Sequence, residues 1–391
     1  MINSLLGIVV VSIVGFTITV AYNDKVIDST EVIASCDFPA IYNFGDSNSD
    51  TGGIAAAFYP MAAPCGESYF DRPAGRGSDG RLIIDFIAEQ LGVPQLSPYL
   101  DTLGTSYRHG ANFATGGATI RRINESWFTN GVSPFPLDVQ VEHYTQFKER
   151  TTYFYNQGKE ESDKSRLAIP VEFSKALYTI DIGQNDISAA FRMLPNMEQV
   201  RAIIPDIINQ FAAQLRDLYK KGARNLWIHN TGPIGCLPVV TVKIKDPAAG
   251  YLDEHGCVKD MNDIAIAFNK HLFDMLTKLR IELQQAAITY VDLYKAKYEL
   301  ISNAKNQGFE EASKICCGYH ENGEDVWCGN KKRLNNGTKI YAGSCNNPST
   351  VISWDGVHYT QAANHWIANY ILNASISNPT LPITKACNPL H

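Results

Sequence analysis

The chain has 391 residues, of which 45% are hydrophobic and 19% charged, and carries a net charge of −6 at neutral pH. So large an apolar share can bury a substantial core, which excludes a disordered chain. The negative balance, without a basic cluster or a nucleic-acid motif, argues against a polyanionic partner, and no linker, charge run or repeat divides the sequence.

Residues 5–21 form an apolar run broken only by small or hydroxyl side chains, and Tyr22, Asn23, Asp24 and Lys25 follow at once. The pattern predicts a secretory signal peptide over residues 1–21, with Thr19, Val20 and Ala21 as the small-residue cleavage site. An uncleaved anchor is the competing reading, because no Lys or Arg precedes the run. The run is short for a span, so no stable membrane anchor is expected. Nine cysteines (Cys36, Cys65, Cys236, Cys257, Cys316, Cys317, Cys328, Cys345 and Cys387) lie beyond that segment, where export would oxidise them to disulfides. Nine is odd, so at least one is free or pairs with another chain. Cys316, Cys317, Cys328 and Cys345, with His320 nearby, raise a zinc site, but the paired C-x-x-C spacings of such sites are missing. Disulfides are expected there, and neither a metal nor a cofactor. Sequons mark Asn124, Asn336 and Asn373 for glycosylation on the same route. The ending Asn388, Pro389, Leu390, His391 is no ER-retention signal. The expected destination is the extracellular space or cell wall, with the vacuole as the alternative.

Phe38, Ala40, Ile41, Tyr42 and Phe44 suit a buried strand that stops at Gly45, Asp46 and Ser47. Leu82, Ile83, Phe86, Ile87 and Leu91 recur at helical spacing, closed by Gly92 and Pro94. Residues 110–119 form a small-residue loop, either a flexible connector or a place where backbone N–H groups approach a ligand. Residues 126–169 are aromatic and polar with weak periodicity, so an irregular excursion over the site is expected there. Strands are predicted at 176–182, 225–229 and 287–293, with helices at 197–221 and 261–286 between or after them. A last helix at 360–372 turns Trp366, Ile367, Tyr370 and Ile371 inward. The alternation predicts parallel β-α-β units in a doubly wound sheet, in which working groups gather at the carboxyl ends of strands. One domain is expected over 36–375, followed by a tail at 376–391.

Ser47 is the candidate nucleophile. Gly-Asp-Ser alone is ordinary turn chemistry, but Ser353, Trp354, Asp355, Gly356, Val357 and His358 supply an acid and an imidazole three positions apart. A serine hydroxyl is a weak nucleophile until a base takes its proton, and a carboxylate fixes that base's tautomer. Ester hydrolysis also needs donors for the charge that develops on the carbonyl oxygen. Asn185 is the candidate side-chain donor, beside the backbone N–H groups of Ser47 and of one glycine in the Gly116-Gly117 pair. Asp186 is read as satisfying nearby backbone, and His229 and His365 as structural or substrate-facing.

Phe44-Gly45-Asp46-Ser47, Asn112-Phe113-Ala114-Thr115-Gly116-Gly117, Gly183-Gln184-Asn185-Asp186 and Trp354-Asp355-Gly356-Val357-His358 stand in the order that marks the plant GDSL esterase/lipase family of SGNH hydrolases. The chain resembles that family from about Cys36 to about Asn373, and within it the early-nodulin-type branch. The resemblance implies a three-layer α/β/α sandwich with a central parallel sheet, the flavodoxin-like SGNH hydrolase fold. It implies Ser47 as nucleophile, oxyanion donors from Ser47, Gly117 and Asn185, and Asp355 orienting the base His358. Asn48 stands where the family name promises leucine, which touches local packing or substrate fit rather than mechanism. No G-x-S-x-G occurs, which argues against a lipase-type nucleophile elbow.

The leading expectation is a secreted carboxylic-ester hydrolase acting through an acyl-enzyme on a small-molecule plant ester. An acyltransferase would use the same residues with an alcohol in place of water. A non-catalytic secreted glycoprotein need not keep Ser47, Asn185, Asp355 and His358 together, and a glycosidase would need two carboxylates facing one bond.

Overall fold

Strand β1 (Ile41–Gly45) is buried along its whole length and feeds two cores, with Tyr42 and Phe44 on one face and Ile41 on the other. The further sheet strands are β2 (Gly110–Asn112), β3 (Leu177–Asp181), β4 (Asn225–His229), β5 (Ala287–Val291) and β6 (Ser377–Asn378). Their spatial order is β6-β5-β4-β3-β1-β2, parallel throughout except for β6. The main helices are α1 (Ile83–Gln90), α2 (Leu137–Gln157), α3 (Gln184–Met193), α4 (Ile204–Lys220), α5 (Lys259–Glu282), α6 (Leu293–Ser302) and α7 (Gln361–Leu372). Helices α2, α4 and α5 share one core with Tyr42, Phe44, Tyr178 and Ile228; α1, α6 and α7 share the other with Ile41, Leu177 and Trp227. This is the expected three-layer α/β/α sandwich, in the flavodoxin-type strand order. The order reverses between β1 and β3, so the turns after those two strands flank a crevice.

This is a computed structural model that describes residues 7–13, 16–22, 35–321, 323–372 and 374–387. The chain divides into two units, Met1–Ala34 and Ser35–His391. In the first, strands Gly7–Ile13 and Phe16–Tyr22 pair antiparallel. The expected signal segment 1–21 and the ending 388–391 lie wholly or partly outside the described residues, as does the sequon residue Asn373. Among the described residues no helix is long and apolar enough to cross a membrane.

Three expectations are corrected. Residues 126–169 are not an irregular excursion throughout, because α2 runs for 21 residues and buries Leu137, Gln140, Val141, Tyr144, Phe147 and Thr151. That is a helical stripe whose inward positions include a glutamine, a tyrosine and a threonine, which dilutes an apolar period. Residues 376–387 are no loose tail: β6 pairs with β5, Leu381 and Ile383 are buried, and Cys387 is bonded to Cys36. Trp366 and Tyr370 are only partly buried and stack on each other at the edge of the core, while Ala363, Ile367, Ala368 and Ile371 fill it.

Candidate active site

Strand β1 ends at Gly45 because nothing larger fits: a β-carbon there would lie 2.3 Å from the carbonyl oxygen of Asp181 on β3. The Gly45 N–H donates to Gln140 Oε1 at 2.9 Å, and Gln140 Nε2 donates back to the Gly45 carbonyl at 2.9 Å. Helix α2 thus completes the pairing at the strand end and delivers Asp46 and Ser47 into the crevice. Asp46 is buried; its Oδ1 accepts from the Asn48 backbone N–H at 2.9 Å and from Asn48 Nδ2 at 3.0 Å. Asn48 therefore serves the local geometry around Asp46.

His358 comes from the segment ahead of α7. Its Nδ1 lies 2.6 Å from Asp355 Oδ2, and Asp355 Oδ1 accepts the backbone N–H groups of Val357 and His358 at 3.0 and 2.8 Å. His358 Nε2 is buried and has no hydrogen-bond partner among the described residues. Ser47 and His358 line the same cavity, with Gly116, Gly117 and Asn185. Burial alone would lower the His358 pKa, but the charge of Asp355 and its hydrogen bond outweigh that, and the net shift is upward. Burial likewise opposes ionisation of Asp355, and His358 with the two backbone donors more than offsets it, leaving that carboxyl below its ordinary range.

The glycine pair separates cleanly. Asp50 is buried, and its carboxylate accepts four backbone N–H groups, those of Gly52, Gly53 and Ile54 and that of Gly116 at 2.7 Å. The Gly116 N–H is therefore spent, whereas no hydrogen bond is made by the N–H of Gly117 or of Ser47 among the described residues. Gly117 has φ +78°, and a β-carbon on it would meet the Gly131 carbonyl at 1.9 Å, so the position requires glycine. Asn185, in the first turn of α3, donates from Nδ2 to the Ala118 carbonyl at 2.9 Å and to Asp46 Oδ2 at 3.2 Å. Asp186 accepts from the N–H groups of Ile120 and Arg121, which is the backbone-satisfying role expected of it.

Around Asp46, the residue before Ser47, lies a buried, electrostatically coupled set that the sequence did not disclose: Asp46, Asp181, His229 and Lys297. Burial first, and then the charge of Asp181, pushes the Asp46 carboxyl up to about 7. Asp181 is buried too, yet His229 Nδ1 at 3.2 Å holds it charged and below its usual range. His229 accepts from Trp227 Nε1 and stays under the sheet end, away from the cavity lining. His365 is on the exposed side of α7, against Asn369 and Phe86. Both histidines are structural. Arg76, also missed, pairs bidentately with Asp85 of α1 at 2.6 and 2.8 Å, and Ser78 and Asp79 bind the Tyr359 carbonyl and the Gln361 N–H. The Arg76 pair ties this stretch to α1, and the Ser78 and Asp79 contacts tie it to the His358 segment.

The four cysteines near His320 are taken up as Cys316–Cys345 and Cys317–Cys328, so they hold no zinc; Cys36–Cys387 and Cys236–Cys257 complete the pairs. Cys65 is the free thiol, buried and pushed up to about 11 by burial. The remaining sequon residues in the described chain, Asn124 and Asn336, are exposed.

The cavity measures about 650 Å³ and is mainly apolar, walled by Ile54, Trp127, Phe191, Leu237, Val240 and Met261 among others. A partly buried imidazole with an open Nε2, a serine after a strand end lining the same cavity and N–H donors that make no hydrogen bond among the described residues are groups suited to acyl-transfer chemistry. The chain is 56% identical over 359 residues to a GDSL esterase/lipase of Arabidopsis thaliana, covering 92% of each. It is 47% identical to the GDSL esterase/lipase ENOD8 of Medicago truncatula, covering 90% of this chain and 91% of that one. It is also 46% identical to a protein of Arabidopsis thaliana named Alpha-L-fucosidase 3, covering 86% and 90%. The sequence model described as GDSL-like Lipase/Acylhydrolase matches residues 41–371. The chain belongs to the plant branch of that family, the GDSL esterase/lipases, and is a carboxylic-ester hydrolase.

Proposed function

We propose that the protein is a secreted esterase that cleaves esters with an apolar acyl group through an acyl-enzyme on Ser47. The observation that carries this reading is His358 Nε2, buried without a partner among the described residues in the cavity that Ser47 also lines, while Asp355 holds Nδ1. His358 takes the Ser47 proton as Oγ attacks the carbonyl carbon, and returns it to the departing alkoxide when the ester C–O bond breaks. Water then adds to the acyl-enzyme with His358 again as base, releasing the acid and regenerating Ser47. Ser47 N–H, Gly117 N–H and Asn185 Nδ2 receive the oxyanion in both steps. The apolar walls favour an acyl chain or an aromatic acyl group over a bare acetyl. Against a glycosidase reading, Asp50 is the one carboxylate residue lining the cavity among the described residues, and its oxygens are occupied by four N–H groups. Four disulfides and two exposed sequon residues support export by the route that the signal segment indicates.

A serine-directed fluorophosphonate tests the site: one label per chain, on Ser47, is expected, and full labelling of Ser47→Ala would overturn the assignment. A panel of acetyl, medium-chain, long-chain and hydroxycinnamoyl esters, run with and without alcohol acceptors, tests the substrate class. Free acid as the main product, formed fastest from the larger acyl groups, is expected. Transfer to the acceptor as the main product would make the protein an acyltransferase.

A further inference from the structure

The cysteine-rich hairpin of Gly318–Glu321 and Glu324–Trp327 has no part in the chemistry above, yet one of its side chains reaches the rear of the site. His320 is buried, and both of its ring nitrogens face acceptors: Nδ1 is 2.8 Å from Asp325 Oδ1, and Nε2 is 3.0 Å from the backbone carbonyl oxygen of Asp355. A carbonyl oxygen only accepts, so Nε2 carries the shared proton. Asp325 stands to His320 as Asp355 stands to His358, with a carboxylate on Nδ1 fixing the ring and aiming Nε2.

We propose that His320 is a positioning residue for Asp355, holding through its Nε2–H the main chain from which the Asp355 carboxylate reaches His358. The inference rests on the reading of Ser47, Asp355 and His358 given above. The same turn is gripped by the hairpin's root, where the N–H groups of Cys316 and Cys317 donate to the carbonyls of Ser353 and Trp354 at 3.0 and 2.5 Å. Both cysteines are in turn locked by disulfides. Gly318 leaves the contact room, since a β-carbon there would stand 3.1 Å from His320 Nε2 and 3.4 Å from the Asp355 oxygen. The far end of the arrangement is the cavity wall. The His320 ring meets Trp327 edge-on at 4.8 Å between centroids, and Asp325 pairs with Lys243 at 2.9 Å; Trp327 and Lys243 both line the cavity. The charged groups around the ring are thus Asp325, Lys243 behind it, and Asp355 through its backbone. A shift of the Asp355 main chain would disturb three bonds at once, because that carboxylate serves His358 Nδ1 and two backbone N–H groups together.

The test compares His320→Phe, which keeps a ring against Trp327 but cannot donate, with His320→Gln, which restores a donor, and with Asp355→Asn. Kinetics on p-nitrophenyl butyrate are followed across pH, with thermal midpoints alongside. His320→Phe is expected to lower kcat by about 10- to 100-fold, the scale on which ångström misplacement acts, with KM little changed. Its acid limb moves to lower pH, because a displaced Asp355 favours the imidazolium less, and His320→Gln regains most of kcat. A merely structural histidine would lower the thermal midpoint and leave the limb in place, which overturns the proposal. Should the phenylalanine variant not fold, Asp325→Asn tests the ring from its other side: a smaller shift in the same direction supports the role, and no shift overturns it. If Asp355→Asn also leaves the limb unmoved, the assignment of Asp355 falls and this one with it. An unmoved limb in the His320 and Asp325 variants alone removes only the role of His320.

Discussion

Asn185 has two amide hydrogens and, in the free protein, two acceptors for them, the Ala118 carbonyl and the Asp46 carboxylate. The bond to Asp46 is the longer, so an oxyanion would draw that hydrogen while Ala118 keeps the amide aimed. Asn185→Ala is expected to lower kcat by about 100- to 1000-fold with little change in KM, because the donor acts once charge has developed. Steady-state kinetics decide it; a raised KM with kcat spared would make Asn185 a substrate-positioning residue. His358 gives a second expectation at this scale. In the proposed mechanism its neutral form is the base, and Asp355 shifts its pKa upward against burial. The active form therefore accumulates only at higher pH, and kcat/KM should rise through a value above the ordinary histidine figure of about 6.5. A pH–rate profile flat across neutrality, with chemistry limiting, would remove His358 as base. Motif order pointed to these residues and the family resemblance implied Gly117, but the residues alone left Gly116 and Gly117 open, because what separates them is that Asp50 has taken the Gly116 N–H.

Helix α2 shows what an element contributes from outside its own stretch. Its Gln140 is buried and exchanges hydrogen bonds with both backbone groups of Gly45, two residues before Ser47. Gln140→Leu would leave the Gly45 N–H buried without an acceptor, at about 1–3 kcal/mol. Denaturant melts should show that loss, with kcat falling as well, since the strand end carries the proposed nucleophile. An unchanged melting curve would mean that water or a shifted neighbour replaces the amide. The helix was hard to read for the reason that makes it useful. A glutamine turned inward looks polar in sequence and acquires its purpose only from a strand almost a hundred residues away.

At the scale of the molecule, the disulfides join what folding brings together. Cys36–Cys387 links the two ends of the catalytic unit, and the Cys316–Cys345 and Cys317–Cys328 pair encloses the hairpin behind Asp355. Reduction is expected to lower stability by about 2–4 kcal/mol per bond, and activity should fall with the Asp355 turn. Thiol titration under denaturing, non-reducing conditions should find one group per chain, at Cys65. Several free thiols would refute the pairing and weaken the case for export together.

Local periodicity indicated strands at 225–229 and 287–293, helices at 197–221 and 261–286 and, through their alternation, the parallel sheet, because each pattern is written within a few turns of chain; the structure sets the second strand at 287–291 and the long helices at 204–220 and 259–282. Four short motifs named Ser47, Asn185, Asp355 and His358, since nucleophile, donor, acid and base each demand a residue type that turns and strand ends can present. What only the tertiary structure decided is how distant groups share partners: which backbone N–H stays unspent, which cysteine is left over, and why His320 sits beside the Asp355 carbonyl. A hydrogen bond or disulfide between residues tens or hundreds apart leaves no period in the sequence, because either partner alone is chemically compatible with many others.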